Sequence, residues 1–174
     1  QQSDTPDWDI PLRGFFYEDP NHKWMLTYEH RGHEQSPVQG LAMLCEVASN
    51  HLDYENWING LKLYREYVLD SMKLTKPYGL VPGHVYVLDK LNSDRFTIPA
   101  SYGTIPEGME ILRNQARSGK KLADNVYLRI FPVAVQRRGY HATLLSKTKA
   151  ISMIAKVLND EELKQIAIDQ LEWV

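Results

Sequence analysis

The sequence predicts a mainly α fold assembled from α-hairpins. Two stretches place apolar residues at helical spacing on both sides of a tight link, and an Arg-Gly dipeptide precedes each stretch. The part between them is poorer in helical periodicity and carries a short β insertion.

The first 36 residues are punctuated by Pro6, Pro11 and Pro20 up to Pro37, and Asp19-Pro20-Asn21-His22 is a turn signal, so residues 1–36 form an irregular segment. From Val38 to about Asn50, the positions Val38, Leu41, Leu44, Cys45 and Ala48 follow helical spacing. Pro37 suits the first turn, where its missing N–H is no loss. After His51-Leu52, Asp53 caps a second helix to about Leu74 with Trp57, Leu61, Tyr64, Val68 and Met72 on one face. Lys76-Pro77-Tyr78-Gly79 stops it. Val81–Leu88 and Arg95–Ile98 read as strands around Asn92-Ser93-Asp94, a β-hairpin inserted near 81–98. Pro106–Ser118 reads as a helix, and Val126–Val135 is open between strand and helix. Thr143–Leu158 aligns Leu144, Thr148, Ile151, Ile154, Ala155 and Leu158. Asn159 caps a last helix with Asp160-Glu161-Glu162 in its first turn, Glu162 completing a capping box, running through Leu163, Ile166, Ala167 and Leu171 to Trp173.

Composition narrows the function classes. The chain has 174 residues, 43% hydrophobic and 24% charged, as in ordinary globular proteins. A net charge of −2, with only the short basic clusters Lys120-Lys121 and Arg137-Arg138, argues against a nucleic-acid partner. Its apolar runs fall far below the roughly 18–20 residues that span a bilayer, so no membrane insertion is expected. The single cysteine, Cys45, reads as a buried, inert thiol. Cysteine usage leaves the compartment open, and a periplasmic or secreted location is slightly favoured. The polar, acidic start from Gln1 to Asp9 shows no signal peptide, and the last helix has no stop signal; the remainder of a larger chain is expected. Four Trp and ten Tyr offer rings that stack on sugars or fill cores.

Arg31-Gly32-His33-Glu34 precedes the first helix pair and Arg138-Gly139-Tyr140-His141 the last, the mark of a repeated supersecondary unit. The stretch from Tyr28 through His30-Arg31-Gly32-His33-Glu34-Gln35-Ser36-Pro37, followed by Gly40-Leu41-Ala42-Met43-Leu44, resembles the six-hairpin (α/α)6-toroid glycosidases. It is similar, more narrowly, to bacterial proteins grouped near the family 9 glycoside hydrolases. The closing Arg138-Gly139-Tyr140-His141 helix pair and Asp169-Gln170-Leu171-Glu172-Trp173-Val174 resemble the last hairpin of that architecture. The likeness covers roughly Pro11 to Val174, at the superfamily level. Asp-Ala-Gly-Asp and Pro-His-His-Arg, which mark the family 9 cellulases, do not occur. The resemblance implies an incomplete toroid over residues 37–174, an active-site loop within 1–36, and a polysaccharide or oligosaccharide substrate at the mouth lined by inner-helix N-termini.

Glycoside hydrolysis by two carboxyl groups makes Glu34 the first catalytic candidate, with Glu29 behind it and Asp19, Asp89 or Asp94 as possible partners. Arg31 and Arg138 match a substrate carboxylate or sulfate bidentately. His33 and His141 suit sugar hydroxyls or proton transfer. Tyr28, Tyr86, Tyr140 and Trp24 are aromatic platforms or core residues. His30 and His33 stand at the wrong spacing for a zinc protease motif, so no metal is expected. No Gly-rich phosphate loop and no Gly-x-Ser-x-Gly elbow occur, and no cofactor is expected. The expected activity is glycoside hydrolysis, of a uronate-containing chain if the arginines bind carboxylates. The alternatives are a polysaccharide lyase using Tyr140 and His141 beside Arg138, and a non-catalytic glycan-binding or scaffolding domain.

Overall fold

A computed structural model describes residues 2–17, 20–22, 35–92, 94, 96, 98–131, 133 and 140–174. Five α-helices and a small three-stranded antiparallel sheet make a mainly helical fold: α1 (Ser36–Val47), α2 (Tyr54–Lys73), β1 (His84–Val87), α3 (Ile105–Arg117), β2 (Lys120–Ala123), β3 (Val126–Arg129), α4 (Tyr140–Leu158) and α5 (Glu161–Leu171).

The two helix pairs form α-hairpins: α1 packs on α2 and α4 on α5. The hairpins then pack on each other, chiefly through α1 and α4. Val38, Ala42 and Cys45 of α1 and Ala150, Ile151, Ile154 and Ala155 of α4 share one core with Leu61, Tyr64 and Val68 of α2 and Leu163 and Ala167 of α5. Glu46 Oε2 and Lys156 Nζ pair at 3.1 Å, near the C-terminal ends of α1 and α4, so these packed helices run in the same direction. The second helices do likewise. Arg65 of α2 pairs with Asp160 and Glu162 at the start of α5. Past the end of α2, Gly79 O accepts from Gln170 near the end of α5. The hairpins are thus stacked as successive copies, not mirrored.

The sheet order is β1-β3-β2, with His84 opposite Arg129 and Val87 opposite Val126. β1 therefore pairs with Val126–Arg129, which corrects the expected pairing of 81–88 with 95–98. Phe96, from that second expected strand, packs with Met109, Leu112 and Ala116 of α3. β2 and β3 form a tight hairpin around Asp124-Asn125, with Asn125 in the left-handed region at φ 59°. Alternation along β1 places Val85 in the helical core and Tyr86 in the cluster under α3, so the sheet joins two cores. Residues 2–17 are irregular but anchored. Leu12 and Phe15 are buried, and Ile10 N donates to Leu122 O on the edge of β2.

Two expected caps are corrected. Asp53 precedes α2, yet its side chain accepts from Asn56 and makes no cap to a backbone N–H. Asn159 does not cap α5; it takes φ 51° after α4, and Asp160 is the cap, accepting from Leu163 N at 3.0 Å. The reciprocal box lies instead at α3, between Thr104 and Glu107. The last helix also ends at Leu171, short of Trp173.

Candidate functional site

Because α1 and α4 run the same way, their amino ends lie at one end of the stack. In the sequence, Glu34 immediately precedes Gln35 at the start of α1, and Arg138-Gly139 immediately precedes Tyr140 at the start of α4. Trp24, Tyr28, Glu29, Arg31, His33, Glu34 and Arg138 themselves lie outside the described residues, as does Asp19. Of the expected candidates, Tyr140, His141, Tyr86, Asp89 and Asp94 are described.

Tyr140 opens α4 with its ring edge-on to Phe131, centroids 4.8 Å apart, and 6.5 Å from the ring of the exposed His141. Its hydroxyl oxygen is buried with no hydrogen-bond partner among the described residues. Burial pushes the phenol up to about 12. At neutral pH it therefore keeps its proton and stands as a donor seeking an acceptor.

Two turns along the same face of α4, about 10 Å by helical rise, Lys147 is buried at 3% exposure and donates to Pro82 O and Gly83 O. This fixes the entry to β1 against α4, with the buried His84 next in the chain. Beside it, Tyr86 Oη accepts from Val133 N at 3.1 Å, which assigns Tyr86 to packing between β1 and the chain after β3. Asp89 does not join this end. It follows β1 at the opposite end of the ladder, about 13 Å of strand away, and accepts from Asn125 Nδ2. Asp94 lies in an exposed turn.

The sequence reading missed Phe131 and Lys147. Lys147 left a signal: it is a cation on the apolar stripe between Leu144 and Ile151. Phe131 left little, since the run around Pro132 was ambiguous.

Among the described residues, no cluster of three or more His, Cys, Asp or Glu is placed to hold a metal ion. No described helix is long and apolar enough to cross a membrane. Comparison with protein-family models, curated proteins and solved structures finds no match for this chain.

Proposed function

We propose that the chain is part of a glycoside hydrolase of the α-hairpin toroid type, acting on an oligosaccharide or polysaccharide. The observation that carries this reading is the co-directional stacking of two α-hairpins, which brings the amino ends of α1 and α4 to one side. Helix amino ends offer unpaired N–H groups and partial positive charge, suited to hydroxyl and carboxylate oxygens of sugars. The character of α1 supports the toroid. Opposite its buried Val38, Ala42 and Cys45, it exposes Gly40, Met43, Leu44 and Val47. A helix apolar on both faces suits an inner ring in which each helix has a neighbour on either side.

In this reading Glu34 acts as general acid or base at the scissile bond, with Glu29 behind it and a second carboxylate activating water or attacking the anomeric carbon. His33 and His141 contact hydroxyls, Arg31 and Arg138 clamp a carboxylate or sulfate, and Trp24, Tyr28 and Tyr140 line the sugar path. A phenol that keeps its proton is fit to donate one, so in the lyase alternative Tyr140 would be the acid and His141 the base.

Mass spectrometry after incubation with mixed neutral and uronate-containing oligosaccharides tests the proposal. Products carrying an added water, lost in Glu34→Gln, are the expected result. Unsaturated products would shift the mechanism to elimination. Absence of any product would leave a glycan-binding or scaffolding role.

A further inference from the structure

Beyond the end of α2 lies a cavity of about 340 Å³ shared by the chain after α2, the turn after α3 and the end of β3. Tyr78 and Phe131 both line it, and their side chains are open to solvent at 53% and 44%. Two exposed rings at one small cavity are costly as mere surface and well suited to the C–H faces of a sugar ring. The volume lies at the low end of the range for small-molecule sites, about 300–1,000 Å³, which fits a single ring better than a chain.

The cavity is held in shape. Arg129 Nε donates to Phe131 O at 3.0 Å, while its Nη1 donates to Gln115 O and Ser118 Oγ, tying the end of β3 to the end of α3. At Gly119 a Cβ would lie 2.4 Å from Leu128 O, so only glycine lets this turn close on the strand. A platform fixed in this way loses little freedom on binding. Lys120, also on the lining, has no carboxylate partner among the described residues and offers N–H donors to hydroxyl or carboxylate oxygens. Phe131 links the cavity to the start of α4, because its ring also meets Tyr140.

We infer that this cavity is a sugar subsite, taking one pyranose ring of an oligosaccharide that runs from the amino end of α4 across Phe131 to Tyr78. The inference rests on the proposed glycan at that end and adds the reach of the substrate beyond it.

The test is isothermal titration of the protein with four probes, the hexasaccharides of β-1,4-glucose, β-1,4-xylose, β-1,4-mannose and α-1,4-galacturonate. At least one binds, and Phe131→Ala and Tyr78→Ala each weaken it about tenfold, while Phe131→Trp binds within about twofold of the parent. If Phe131→Ala lowers the melting temperature, Phe131→Leu replaces it, keeping apolar volume without a ring face. Failure of all four probes to bind, or equal affinity in the ring-deleted variants, overturns the subsite. Ring-dependent binding without any hydrolysis keeps the subsite and removes the hydrolase reading. Hydrolysis with ring-independent binding does the reverse.

Discussion

Replacing Lys147 by Met removes the ammonium that ties the entry of β1 to α4. Methionine keeps most of the buried stem and removes only the ammonium, so little cavity forms. The carbonyls of Pro82 and Gly83, both buried, then lose the donor they share. Each buried carbonyl left without a donor costs about 1–3 kcal/mol. Relief of the ammonium's own desolvation offsets part of that sum. The net expectation is a loss of about 2–3 kcal/mol. With a slope of about 2 kcal/mol per molar in urea, the midpoint falls by about 1 M at unchanged slope. Amide exchange at Val85–Val87 should quicken more than in the middle of α2, because the strand loses its anchor while α2 does not. A Lys147→Met protein with an unchanged or higher midpoint would refute the reasoning, since it would mean the two carbonyls find other partners.

Asp160 gives an acid-side prediction. Burial pushes its carboxyl up, but the Leu163 amide and the Arg65 guanidinium outweigh burial and hold it below the ordinary 3.8. A carboxyl depressed by folding adds stability that is present above its unfolded value and lost as pH falls through its folded value. Parent stability should therefore drop as pH falls below about 4, and Asp160→Asn, which keeps a cap but loses the charge facing Arg65, should lose about 1 kcal/mol at pH 7 while showing a shallower drop, measured by urea unfolding at pH 7 and pH 3. Equal acid-side slopes would disprove the coupling. Gly14→Ala should cost about 3 kcal/mol or more by thermal melting, because Gly14 has φ 93° and a Cβ there would lie 1.8 Å from Leu63 O. A parent-like melting temperature would show that the first residues do not seat on α2.

What the chain discloses before folding depends on how local the governing physics is. The helices α2, α4 and α5 were readable because their buried residues recur at three- and four-residue spacing, as in Leu61, Tyr64 and Val68. Strand partners were not. β1 and β3 lie some forty positions apart, and nothing in His84–Val87 names Val126–Arg129 as its partner. The Asp124-Asn125 turn between Leu122 and Val126 was a usable hairpin signal, hidden by the two lysines at the start of β2. Caps were legible in kind but slipped by a residue at Asp160, since Asn159 and Asp160 are both good caps and only the chain's path separates them. At the candidate site, Tyr140 and His141 stood out through the Arg-Gly echo, whereas Phe131 became visible only when folding set its ring against Tyr140.

Gln170 carries a consequence for synthesis. Its side-chain amide gives to Gly79 O and takes from Val81 N, groups that left the ribosome some ninety residues earlier. Until α5 emerges, the passage from α2 to β1 keeps those two polar groups in water and cannot bury Leu80 and Val81 beside them at low cost. Chaperones would meet this stretch open on a nascent chain until the α4–α5 hairpin emerges to close it.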